Sequence, residues 1–241
     1  MDLSESYDRA GGQSPFKRPG FPIRVISMQY AILSDIHAHL PALQAIWHTL
    51  ETNGLADRPV LNAGDTVGYG PDPEACVRFL RRHPNVVSVR GNYDKNVALF
   101  PKREAAYRLK WGLLRPEKLQ TLRDSSSAIS EDTRRWLSDL PAEAAVTLGI
   151  VSVFMSHYSP GSKEGIGTWT PDSRLKELAK NTRAKVVVCG HTHTPFVRHV
   201  GGILWINPGS LGLSWDDGAF RYAVLTLEPG LLPSAELKVA K

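Results

Sequence analysis

The chain has 241 residues, 42% of them hydrophobic, which is enough apolar material for one sizeable core. Its two cysteines, Cys76 and Cys189, stand far apart inside apolar stretches; this excludes a disulfide framework and fits a reducing compartment. No window approaches the roughly 20 apolar residues of a membrane span, and the first residues lack the charged-then-apolar order of a signal peptide, so a soluble, cytoplasmic protein is expected.

Residues 1–27 are rich in Gly, Pro, Ser and charge and show no periodicity, which reads as a poorly structured extension. Met28 directly precedes the first strand-like run, residues 29–33, and is a candidate for the true start. A helix opened by Pro41 follows, with Leu43, Ile46, Trp47 and Leu50 recurring at i, i+3, i+4 and i+7. A short strand at 60–62, a helix over 73–82 and a strand at 86–90 continue the βαβ alternation.

Residues 96–140 are polar and helical and interrupt the strands, which predicts a small helical cap with Trp111, Leu114, Leu119, Leu122, Trp136 and Leu137 buried. Residues 101–135 hold nine Lys/Arg against five acids, a flank able to steer anions toward a neighbouring cleft or simply a solvated helical face. No aromatic interleaving along the sequence points to nucleic acid. Strands then dominate, at 144–148, 151–155, 186–189, 196–200, 203–206 and 221–227, with one helix near 172–180. The predicted fold is α/β (α+β): two mixed β-sheets packed as a sandwich flanked by helices, forming one domain over 28–241 with the cap at about 96–140.

The chemistry-bearing residues stand at strand ends. Asp35-Ile36-His37 follows the first strand and Gly64-Asp65 the second. Gly91-Asn92-Tyr93-Asp94 follows the third, His157 the run at 151–155, and Gly190-His191-Thr192-His193 the run at 186–189. Each motif alone is as readily a turn or a cap. Five loops that each deliver carboxylate, amide or imidazole ligands beyond an apolar strand point jointly to a metal centre.

This combination resembles the calcineurin-like metallophosphoesterase superfamily over about residues 28–228, and in particular its small bacterial and archaeal phosphodiesterase-like members. The signatures are Ser34-Asp35-Ile36-His37 with Leu40-Pro41-Ala42-Leu43, Gly64-Asp65 with Val67-Gly68-Tyr69-Gly70-Pro71, and Asn207-Pro208-Gly209-Ser210. The resemblance implies two divalent metal ions, Asp35, His37 and His193 holding one, Asn92, His157 and His191 the other, and Asp65 bridging them. Carboxylate and imidazole suit Mn first, with Fe, Ni, Co or Zn as alternatives. It also implies a metal-bridging hydroxide as nucleophile and a phosphate-ester small molecule or nucleotide as substrate.

The third motif departs from the family, which commonly carries a histidine after Gly-Asn where this chain has Tyr93. A phenol, with a reference pKa of about 10 against about 6.5 for imidazole, protonates a leaving oxygen poorly near neutrality. Relatives that lack this histidine often act on phosphodiesters, so the resemblance implies a lean toward phosphodiesters here. A phosphomonoesterase or protein phosphatase, a dinucleoside polyphosphate hydrolase, and a catalytically weak interaction scaffold remain the alternatives.

By the same resemblance Asp94 supports Tyr93 or a nearby ligand through hydrogen bonds. His39 either touches substrate or caps the Pro41 helix, and Tyr69, Tyr158, Trp169 and Trp215 either line a substrate pocket or pack against their own loops. Arg90 either meets phosphate or pairs structurally at its strand end.

Overall fold

The computed structural model describes residues 27–213 and 218–240. The expectation of an N-terminal extension therefore lies, apart from residue 27, outside the described residues, as does Trp215.

The chain builds two mixed five-stranded sheets. The first has the order β10-β9-β1-β2-β3, from β1 (Met28–Leu33), β2 (Val60–Asn62), β3 (Val86–Ser88), β9 (Phe220–Leu227) and β10 (Ser234–Ala240). The second runs β4-β5-β6-β8-β7, from β4 (Glu143–Leu148), β5 (Val151–Ser156), β6 (Val186–Val188), β7 (Phe196–Val200) and β8 (Ile203–Asn207). In each sheet three central or adjoining strands are parallel, β1 with β2 and β3, and β5 with β6 and β8. Antiparallel neighbours complete the edges.

Alternation along the strands sorts their residues into two kinds of core, one inside the sandwich and one on the outer face of each sheet. Tyr30, Ile32 and Leu61 face Val153, Met155, Val186, Val188, Leu204 and Ile206 across the sandwich interior. The other face of the first sheet, with Ala31, Leu33 and Val60, packs under α1 (Leu40–Thr52) and α2 (Pro73–Arg81). The other face of the second, with Val187, Cys189 and Trp205, packs under α6 (Asp172–Leu178). Burying a side chain such as Ile32 completely contributes about 1.5–3 kcal/mol. Cys76 and Cys189 are both buried thiols. Among the described residues no helix is long and apolar enough to cross a membrane.

Helices α3 (Asn92–Trp111), α4 (Pro116–Ser127) and α5 (Glu131–Asp139) enclose a third core of Val97, Phe100, Tyr107, Leu119, Leu122 and Leu137, together with Val67 and Tyr93. The helical cap is present, but three sequence expectations are corrected here. First, α3 opens at Asn92, so the Gly-Asn-Tyr-Asp motif is a helix start and not a loop; the Asp94 carboxylate accepts the Gly91 N–H at 2.9 Å and ties off an otherwise orphan donor. Second, Leu114 is 85% exposed, because the helical period breaks at the 112–115 turn. Third, β10 adds an edge strand that the sequence reading omits.

Candidate metal centre

The parallel strands of both sheets point their carboxyl ends at one place, where the open-sheet rule puts a site. The loop after β1 carries Asp35 and His37, that after β2 Asp65, that after β5 His157, and that after β6 His191 and His193. Asn92 comes from the first turn of α3. Asp35, His37, Asp65, His157 and His193 are all buried.

The backbone is bent unusually to bring them together. Seven non-glycine residues occupy the left-handed region: Asp35, His37, Ala38, Asp65, Tyr69, His191 and His193, five of them expected ligands. Such conformations cost about 1–3 kcal/mol each and persist where surrounding structure enforces them. Here Asp35 N donates to the Gly64 carbonyl at 2.9 Å, His37 N to Asp65 at 3.0 Å and Ala38 N to Thr66 at 2.9 Å, locking the first two loops together. Close approach also demands glycine at two positions. A Cβ at Gly91 would overlap the Asp65 carboxylate, and one at Gly190 would overlap Ser34 Oγ.

Each carboxylate spends one oxygen on the protein and turns the other to the centre. Asp35 Oδ2 accepts from Ser34 Oγ at 2.6 Å and from His191 N at 3.1 Å. Asp35 Oδ1 then lies 3.2 Å from His193 Nε2 and 3.6 Å from His37 Nε2. Asp65 Oδ1 accepts from Tyr93 N at 2.7 Å, while Oδ2 lies 3.2 Å from His157 Nε2. The imidazoles are oriented in the same way: Nδ1 of His37, His157 and His193 meets the carbonyls of Val67, Ala63 and Leu213 at 3.3, 2.8 and 2.8 Å. With Nδ1–H donated to a carbonyl, the Nε2 lone pair is presented, which is how metal-binding histidines are held.

This arrangement fits divalent cations. Asp35 Oδ1 and His157 Nε2 are fully buried, yet among the described residues neither has a hydrogen-bond partner, although both have polar neighbours close by. Acceptors crowded around a common point without hydrogen-bond geometry are what a cation satisfies and a proton does not. Two clusters have ligand atoms within 4.8 Å of one another, Asp35 with His37 and His193, and Asp35 with Asp65 and His157. Asp35 is thus common to both, whereas the family resemblance gives the shared role to Asp65.

Electrostatics follow from the same crowding. Burial would raise the Asp35 carboxyl, but the adjacent His193 and His37 rings outweigh it and hold it well below the usual range. Burial would lower His157, but Asp65 and Asp35 raise it. His191 is depressed, by burial first and by the charge of His157 second. Asp94 is pushed up to about 6, by burial and by the neighbouring Asp65 charge.

The remaining expected residues lie around this group. Asn92 Oδ1 accepts from Tyr158 OH at 3.2 Å, and the His191 ring stands 5.3 Å from that of His157 and 4.5 Å from that of Tyr158. Asn92 and His191 both line a neighbouring cleft of about 810 Å³, together with Arg90 and Tyr158. Arg90 donates to the Ser138 carbonyl at 2.6 Å. Tyr93 and Tyr69 stand on the opposite side, 5.4 and 5.0 Å from the His37 ring, with Tyr93 OH donating to Tyr69 OH at 2.5 Å. Asp94 lies beneath, accepting from the backbone N–H of Asp65 and Val67 at 2.9 and 3.2 Å. His39 caps α1: its Nδ1 accepts from Ala42 N at 3.1 Å and its ring rests 5.0 Å from Phe220. Trp169 is 62% exposed and does not line the cleft.

Two residues of the Asn-Pro-Gly-Ser signature support the ligand loops. Ser210 Oγ donates to the Asp35 carbonyl at 2.8 Å, and Asn207 Nδ2 to the Gly190 carbonyl at 2.9 Å, so the Asn-Pro-Gly-Ser turn braces two ligand loops. The motif was visible in the sequence, but its partners, 175 and 17 residues away, were not.

Comparison with known proteins shows the family and the fold. Residues 28–230 match the calcineurin-like phosphoesterase superfamily domain. The uncharacterized protein MJ0912 of Methanocaldococcus jannaschii is 28% identical over 192 residues, covering 80% of this chain and 73% of its own. The hypothetical protein PH1004 of Pyrococcus horikoshii has a similar structure, with a TM-score of 0.73 at 22% identity over 88% of each chain. A metallophosphoesterase from Sphaerobacter thermophilus gives 0.66 at 26% identity, over 89% of this chain and 88% of that one.

Proposed function

The chain belongs to the calcineurin-like phosphoesterase superfamily, and from that premise we propose that it is a binuclear, metal-dependent phosphodiesterase. Asp35, His37 and His193 hold one cation, Asn92, His157 and His191 the other, and Asp65 is shared. The observation that carries this reading is the pair of buried, unpartnered atoms Asp35 Oδ1 and His157 Nε2, aimed into one cluster of carboxylates and imidazoles. When bound, two such cations, manganese in our reading, supply Lewis acidity to the phosphoryl oxygens and activate water.

The diester preference rests on Tyr93. Burial first, and its hydrogen bond with Tyr69 second, push the phenol above its ordinary range, so it keeps its proton at the pH where a leaving alkoxide would need one. An ester whose leaving group departs without a strong acid is favoured. Asn92, Tyr158 and His191 face the substrate from the cleft side, and Tyr69 from the other; Asp94 positions Asp65 and Tyr93. The two buried thiols, with no disulfide, support a cytoplasmic setting.

The test is a screen of aryl phosphodiesters, monoesters and dinucleoside polyphosphates with Mn, Ni, Co, Zn and Mg. Hydrolysis fastest on diesters, abolished by chelator and by Asp65→Asn, is expected. A chain that binds metal and turns over no ester under any cation would make it a scaffold.

A further inference from the structure

The cleft beside Asn92 and His191 carries more positive charge than a single ester uses. Along α3 its wall is formed by Asn92, Lys95, Leu99, Arg103, Lys110 and Trp111, which recur at helical spacing on one face. At 1.5 Å per residue, Lys95, Arg103 and Lys110 stand about 4, 16 and 27 Å along the axis from Asn92. Lys118, Arg90 and Lys163 face the same space, and Glu143 is the one acid among the lining residues.

These cations differ from their neighbours on the same helices. Arg108, Arg123, Arg134 and Arg135 each lie 3.0–3.6 Å from Glu104, Glu131 or Asp132. Among the described residues no carboxylate lies within that reach of Lys95, Arg103, Lys110, Lys118 or Lys163. The acids of the cap neutralise its outside and leave the cleft positive.

We propose that the cleft binds a short single-stranded oligonucleotide, with one phosphodiester at the metal centre and the next phosphates spread along α3; this rests on the phosphodiesterase reading above. An extended anion is required because a compact nucleotide seated at Asn92 ends far short of Lys110. The groove also offers aromatic surface, the half-buried Trp111, with Lys110 and Lys118 Nζ 5.1 and 4.9 Å from its ring centroid, at the far end and Tyr158 at the metal end, while Tyr107 belongs to the cap core. Cations alternating with aromatics along a groove are the chemistry of single-strand binding. That alternation is absent from the linear sequence and arises when α3 turns one face to the cleft.

The test measures binding of labelled oligothymidylates of two, four and six nucleotides, and of a nucleoside triphosphate, to the full chain in chelator, where nothing is cleaved. Affinity should rise at least tenfold from two to four nucleotides and level off beyond. Arg103→Gln with Lys110→Gln should return the four-mer to dimer affinity and lower the slope of log affinity against log salt by about 1.4. The length series needs no variant, so misfolding cannot obscure it. Equal affinity for two and four nucleotides, tighter binding of the triphosphate than of the four-mer, or an unaffected folded variant would each overturn the proposal. Since binding is read without turnover, a chain that shows the length dependence yet hydrolyses no ester would sink the phosphodiesterase reading and leave this one standing. Diester hydrolysis without length dependence would do the reverse.

Discussion

Asp94 accepts the backbone N–H of Asp65 at 2.9 Å, and the same oxygen accepts that of Gly91 at 2.9 Å, so one buried carboxylate ties the second ligand loop to the start of α3. Asp94 touches neither cluster of potential ligand atoms. Replacing it with Ala should weaken metal affinity about 10- to 100-fold while leaving all candidate ligands in place. Calorimetric titration with Mn would read this, and unchanged affinity would show that the loops hold themselves.

Tyr93→His restores the residue common in the family at a ring 5.4 Å from His37. General acid catalysis contributes typically 10²–10⁴-fold, so monoester turnover should rise at least about tenfold, with diester turnover changed by less than threefold. If monoesters gain nothing, the absent proton donor is not what sets the preference.

Gly91→Ala isolates close approach from backbone strain. Gly91 has an ordinary φ of −81°, so the whole effect comes from the new Cβ meeting Asp65. It should lower stability by about 2–3 kcal/mol and abolish tight metal binding. Gly202, at φ +76° with nothing within 4 Å, makes the control: its alanine variant should lose about 1 kcal/mol and keep its metal affinity. Thermal melts with and without Mn separate the two.

Acid should undo the contact between α2 and α5. Glu74 accepts from Ser130 N at 2.9 Å and Ser130 Oγ at 3.1 Å. Burial would raise its carboxyl, but these donors, with Thr133 and with Arg78, whose Nε lies 3.0 Å from Glu74 Oε1, outweigh it and hold it below the ordinary value of 4.5. A carboxyl depressed in the folded state contributes stability that is whole above the unfolded pKa and is lost as pH falls through the folded one. The difference between wild type and Glu74→Gln should be about 1 kcal/mol at pH 7 and should vanish below about pH 3. Urea denaturation across that range decides it, and a gap that persists in acid would assign the effect to packing.

Much of the fold was readable because each strand is apolar for its own packing reason and each candidate ligand follows one directly. Asp35 after Leu33 and His191 after Cys189 needed only the rule that open sheets place their sites beyond strand ends. β10 was overlooked: Ala235, Leu237 and Val239 alternate with Ser234, Glu236 and Lys238, but Leu237 and Val239 stay 38% and 56% exposed, and the strand is held chiefly by its seven pairings to β9. Leu114 misled because a helical period counted across a turn continues on paper and not in space. At the site, the residue types were evident, but the left-handed backbone at Asp35, His37, Asp65, His191 and His193 was not: Asp and His are enriched in that region, yet only a small minority of them adopt it, and the loop contacts that enforce it here are tertiary. The Asn-Pro-Gly-Ser turn is legible as a support, but the partners of Ser210 and Asn207 are set by the tertiary fold and no local pattern announces them.

Helix α3 begins with Asn92 and ends with Trp111, with Pro101 interrupting its hydrogen bonding in between, so a candidate ligand and the far wall of the cleft are two ends of one helix. The cap is therefore not a module that could be trimmed, grafted or exchanged between relatives without redrawing the centre itself. A tilt of a few degrees at its outer end would turn Asn92, and whatever fastens Asn92 would steady the outer end in return.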